Sequence, residues 1–115
     1  FQLISTPFMN FQITVAYLSN GVQKQDVVKA FTQMLDLGVP QMILGDFNFD
    51  CKEDNCLRRY FNGLGLFQVV SIPTHKAGRT LDQVYASKDV CEKLDINVQF
   101  KYYSDHAALQ IKLKK

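Results

Sequence analysis

The stretch Gln41-Met42-Ile43-Leu44-Gly45-Asp46-Phe47-Asn48-Phe49-Asp50 decides how this chain is read. Three apolar residues run into a glycine, after which polar and aromatic residues alternate. Side chains two apart on an extended segment point the same way. The spacing therefore predicts a buried strand whose end presents Asp46 and Asn48 on one face and Phe47 on the other. Gly45, with no Cβ, lets a neighbouring backbone or a ligand come close. A carboxylate beside a carboxamide can take a proton from water and hold a polar group in place. The same letters also fit a strand running into a polar turn, where Gly, Asp and Asn are common. The surrounding chain has to decide between the two.

Upstream, Phe11 to Leu18 alternates and is rich in β-branched and aromatic residues, which predicts a strand ended by Asn20-Gly21. Tyr17 lies near its C-terminal end, where α/β sheets gather ligands, although a half-buried core ring is the default for such a tyrosine. Gln23 to Leu37 has Val27, Val28, Phe31, Met34 and Leu35 at helical spacing, with Gly38 and Pro40 to stop it. Strand, helix, strand is a crossover unit, so the two strands should be parallel.

Downstream, Asp54 to Leu64 reads as a second helix and Phe67 to Val70 as a short strand. Pro73 to Arg79 is a loop by composition, and Thr80 to Ala86 is the next strand. On that strand Asp82 falls on the same side as Val84 and Ala86, and an acid among apolar neighbours needs a partner. Lys88 to Leu94 predicts a helical turn, Asp95 to Tyr102 a strand, and Ala107 to Leu113 a last strand. Ser104-Asp105-His106 precedes it and carries one of the two histidines.

The 115 residues are 47% hydrophobic and 21% charged, enough for one domain with one core over 1–115. No apolar run approaches the length of a membrane span. The net charge of +2 is a mild basic bias, partly from Lys112, Lys114 and Lys115, which equally suit a solvated edge strand. Cys51, Cys56 and Cys91 are odd in number and lack C-x-x-C spacing, which disfavours a disulfide scaffold or a zinc site and suggests free thiols inside the cell, in nucleus or cytoplasm. The chain opens on Phe1, so a processed chain or a piece of a longer one is expected.

Three polar clusters at strand ends, Gly45-Asp46-Phe47-Asn48, Thr80-Leu81-Asp82 and Ser104-Asp105-His106, stand in an order that resembles the C-terminal half of the endonuclease/exonuclease/phosphatase (DNase I-like) family. Tyr17-Leu18-Ser19-Asn20 and the Thr74 to Asp82 segment resemble it too, so the likeness runs from about Phe11 to Leu113. It implies an α/β fold: half of a two-sheet sandwich, a mixed sheet with helices on its outer face. It also implies hydrolysis of phosphodiesters with a divalent metal, Mg²⁺ or Mn²⁺. In that comparison Asp46 activates water or protonates the leaving oxygen, and Asn48 orients it. Asp105 is the metal ligand. His106 stabilises phosphate charge, and Asp82 holds the His106 ring and favours its charged form. Tyr17, Asn20, Thr74 and Arg79 contact the substrate.

The family's first half supplies a strand-borne Asn and a metal-binding Glu. Ahead of Tyr17 the only Asn is Asn10, and no Glu precedes Glu53. Half a sandwich should also leave an apolar sheet face uncovered. The expected partners are nucleic acid, favoured by the basic balance, and the missing half, a homodimer mate or another protein over that face, with no membrane. A phosphoinositide or lipid phosphodiesterase, and a non-catalytic binding remnant, are the alternatives. A two-metal phosphatase of another fold would need more histidines than His75 and His106, and a flavodoxin-like module would not account for Asp82, Asp105 and His106 together.

Overall fold

A computed structural model describes residues 1–100 and 104–114. Its first element is a strand that the composition of the opening residues hides. β1 (Gln2–Phe8) pairs antiparallel with β2 (Phe11–Tyr17) across a two-residue turn, Met9-Asn10. Met9 takes a positive φ of 54° there, a conformation usually left to Gly, Asn or Asp.

Helix α1 (Lys24–Met34) is shorter than its apolar spacing suggested. Leu35 is already extended, and Asp36 closes a tight turn by accepting from the Gly38 N–H at 3.0 Å. The chain then enters β3 (Gln41–Asp46), which is parallel to β2 as the crossover required. Helix α2 (Cys56–Gly63) starts at Asn55, whose side chain accepts from the Arg58 N–H at 2.9 Å. β4 (Leu66–Gln68), β5 (Asp82–Ser87) and the short helix α3 (Lys88–Cys91) follow. The sheet order is β1-β2-β3-β5-β4, and both β1 and β5 run antiparallel to their inner neighbours, so the sheet is mixed.

β6 (Leu94–Gln99) and β7 (Ala108–Leu113) form a separate antiparallel ribbon. Residues 101 and 102 of the expected strand, and Lys115, lie outside the described residues.

The alternation of each strand sorts the core into two layers. Ala16, Ile43 and Tyr85 face α1 and α2, packing with Val27, Phe31, Phe47, Leu57 and Phe61. Met42, Val84 and Ala86 face the ribbon, packing with Ile96, Val98, Leu109 and Ile111. The ribbon thus covers part of the face expected to be bare. The rest stays open: Ile4 is 69% exposed, and Val15 and Tyr17 are each 49% exposed, with Ile4 paired to Val15 on the same side. Among the described residues no helix is long and apolar enough to cross a membrane. The three cysteines are free.

Gly45 is where the sheet is tightest. Its φ is +147°, and a Cβ built there would lie 1.8 Å from the Ala16 carbonyl oxygen of β2. The close approach anticipated from sequence is made by backbone.

Candidate active site

The register of the sheet places Tyr17 of β2 beside Asp46 of β3, and Asp46 beside Asp82 of β5. Cross-strand partners share a face. This row continues the Leu44 and Val84 side of the sheet, so it points toward the ribbon layer, at the carboxyl end of β2 and β3. Ligands of open α/β sheets collect at such ends.

His106 joins the row from the connection between β6 and β7. Its Nδ1 is 2.8 Å from Asp82 Oδ2, and its Nε2 is 3.9 Å from Asp46 Oδ2. One imidazole therefore sits between two carboxylates. The hydrogen bond to Asp82 is the main reason that the His106 pKa lies above the ordinary 6.5, with the charges of Asp82, Asp46 and Asp105 adding to it. The carboxylate among apolar neighbours has the partner that burial demands. Since the folded state holds this proton more tightly, the pair stabilises the fold below pH 6.5, and that contribution is lost as pH rises through the raised value. Asp82→Asn should lower the His106 pKa, read from the imidazole resonances in an NMR titration. An unmoved titration would refute the pairing.

Burial raises the Asp46 pKa above 3.8, and the charge of Asp82 adds to this. The Asn48 N–H and His106 pull it back. Asn48 serves Asp46 differently from the expectation. The strand ends at Asp46, and Asn48 sits in a turn with φ 53° instead of on the same extended face. Its backbone N–H donates to Asp46 Oδ1 at 3.0 Å, while its side-chain amide donates to the Leu18 carbonyl at 2.5 Å. The carboxamide ties the end of β2 to the turn, and the main chain orients the acid.

Thr74 is fully buried, so it has no surface to offer a substrate. Its hydroxyl accepts from the Leu81 and Asp82 N–H groups, both at 3.0 Å. Its carbonyl accepts from the Ala107 N–H at 2.7 Å. Thr74 thus links the start of β5 to the segment carrying His106. Arg79 and Asn20 are exposed, on the loop before β5 and on the turn after β2. Tyr17 lies in the row itself. Gln83, not singled out from sequence, is wholly buried and donates to the Phe49 and Thr80 carbonyls at 2.7 and 2.9 Å, pinning the loop after Asp46 against β5. Its only sequence signal was a polar residue on a core face.

Asp46, Asp82 and His106 each put one ligand atom within 4.8 Å of the others, close enough to share a metal ion. Their hydrogen bonding suits another use. The Nδ1 edge of His106 is already taken by Asp82, and hard ions such as Mg²⁺ prefer oxygen. Asp105 lies outside that group, as an exposed carboxylate next to His106. It fits a hard ion that keeps most of its waters.

No protein-family model matches the chain, and no curated protein matches it by sequence. Solved structures do match. The endonuclease domain of TRAS1, a telomere-specific non-LTR retrotransposon, superposes with a TM-score of 0.73 at 17% identity, over 97% of this chain and 60% of that one. An AP endonuclease from Archaeoglobus fulgidus gives 0.68 at 14% identity, over 97% and 65%. The 3'-5' exonuclease NExo from Neisseria meningitidis gives 0.65 at 18% identity, over 98% and 65%. The chain thus spans roughly three-fifths of the length of these structures. A mixed sheet under two helices, a ribbon of a second layer and these neighbours together identify the fold as that of the DNase I-like endonuclease/exonuclease/phosphatase proteins, present here in part.

Proposed function

We propose that this chain supplies one side of a phosphodiester-hydrolysing site that acts on nucleic acid with the help of a divalent metal. The observation that carries the reading is His106 held between Asp82 at 2.8 Å and Asp46 at 3.9 Å. The Asp82 hydrogen bond raises the His106 pKa, and the protonated imidazole is a donor for a non-bridging phosphate oxygen, where charge develops in the transition state. A carboxylate with a raised pKa is a stronger base for an attacking water. Asp105 would hold Mg²⁺ together with substrate oxygens, and the ion would supply charge neutralisation at the phosphate. Tyr17, Asn20 and Arg79 are the proposed substrate contacts, while Thr74 and Asn48 position the groups that react. Two of the neighbours are endonucleases, and NExo is seen bound to a product DNA hairpin, which supports nucleic acid as the substrate class.

Asp105 stands outside the Asp46, Asp82 and His106 group, and the Ile4, Val15 and Tyr17 strip is open. Both point to a complementary half of the sandwich, in cis or as a separate chain. The test is nicking of supercoiled plasmid by this chain, with and without such a half, in Mg²⁺ and in EDTA. Alone, the chain should cleave barely above background. With the half, cleavage should depend on Mg²⁺. Cleavage that resists EDTA, or none even with a matched half, would reject the proposal, and the second outcome would favour a binding remnant.

A further inference from the structure

His75 lies outside the residues assigned above, yet its geometry is unusually constrained for a half-exposed loop histidine. Its backbone forms an isolated antiparallel bridge with His106. The flanking hydrogen bonds, Lys76 N–H to the Asp105 carbonyl at 3.0 Å and Ala107 N–H to the Thr74 carbonyl at 2.7 Å, clamp the two segments together. The turn behind it is closed, with the His75 N–H donating to the Arg79 carbonyl and the Gly78 N–H to the His75 carbonyl, both at 2.9 Å. Its imidazole is fixed as well. The Ala77 N–H donates to His75 Nδ1 at 3.0 Å, so Nδ1 is an acceptor and the ring proton sits on Nε2.

This anchored ring stands at right angles to that of His106, with centroids 5.2 Å apart and planes at 84°. Such edge-to-face contacts are favourable and directional. Asp82 grips His106 at one atom, Nδ1. A single hydrogen bond leaves a ring free to tilt about that contact, and a perpendicular neighbour removes the tilt.

We infer that His75 is a positioning residue for His106: it fixes the plane of the imidazole whose Nδ1 Asp82 holds, and so aims Nε2 along the row of Asp46. The consequence for catalysis rests on the nuclease reading, but the positioning itself does not. In the ¹⁵N-labelled chain, His75 should show the Nε2–H tautomer, and the two rings should share nuclear Overhauser contacts. His75→Ala should broaden the His106 ring signals and remove the signal of the Nδ1–H bonded to Asp82. His75→Phe, which keeps a ring in place, should restore both. Unchanged His106 signals in His75→Ala, or failure of His75→Phe to restore them, would overturn the inference. So would the absence of ring-to-ring contacts in the wild-type spectrum, a readout that stands even if His75→Ala does not fold. None of these measurements needs turnover, so failure of the nuclease reading and failure of this one are separable.

Discussion

Gly45→Ala should leave little or no folded protein. The added methyl would meet the Ala16 carbonyl oxygen at 1.8 Å, its carbon at 2.8 Å and the Ala16 nitrogen at 3.0 Å. All three are main-chain atoms of the adjacent strand, so no side chain can swing aside. Relief requires β2 and β3 to separate, which breaks the parallel ladder between them. Overpacking alone costs about 1–3 kcal/mol when neighbours can shift, and a side chain at φ +147° adds backbone strain of about 1–3 kcal/mol. A small domain has roughly 5–15 kcal/mol to lose. In circular dichroism the variant should melt tens of degrees below wild type or show no cooperative transition. A variant melting with the wild type would mean that β2 and β3 do not approach as described. Activity should vanish with the fold, because the same ladder sets Tyr17 beside Asp46.

Asp46→Asn should move activity and stability in opposite directions. Loss of a general acid or base typically costs 10²- to 10⁴-fold in rate, and on the proposed reading nicking by the chain with its complementary half should fall by about that factor. Stability should rise at neutral pH. The folded-state pKa of Asp46 is raised, chiefly by burial, so its ionised form is disfavoured in the folded chain. A carboxyl shifted this way stabilises the fold only while protonated, below its unfolded pKa, and that contribution is lost as pH rises through the folded value. Asparagine is always neutral and can still accept the Asn48 N–H that Asp46 accepts. The variant should therefore melt above wild type at pH 7, with the gap closing in acid. Equal melting at pH 7 would show that Asp46 is not strained by its charge, and retained nicking that it does not act as acid or base.

Much of this arrangement was legible in the sequence because periodicity and burial are local. The alternation around Gly45 and the apolar spacing of Val27, Phe31 and Leu35 gave the crossover. Asp82 beside Val84 and Ala86 announced a buried acid with a partner, and His106 is that partner. What stayed hidden depended on non-local contacts or on turn geometry. β1 carries Pro7 and two hydroxyl residues, Ser5 and Thr6, and turns at a methionine, so no strand signal survives in its letters. Asn48 read as the next residue of a strand, but a positive φ rotated it out of line. Thr74 read as a substrate contact, yet its hydroxyl is spent on two backbone N–H groups. His75 was visible only as part of the Thr74 to Asp82 segment and as one of two histidines, since its bridge to His106 spans a distance in sequence that no local pattern encodes.

The two layers of the molecule divide the site between them. In the proposed site Asp46 and Asp82 sit on the five-stranded sheet, while Asp105 and His106 lie on the connection between β6 and β7. A two-stranded ribbon has marginal stability in isolation, and this one is tied to the sheet by apolar packing and by the clamp between Thr74–Lys76 and Asp105–Ala107. The site exists only while the layers are docked, so undocking of the ribbon would dismantle it even where the sheet stayed folded. A group that grips the ribbon away from Asp46, Asp82 and His106 would favour or oppose that docking without touching the proposed site.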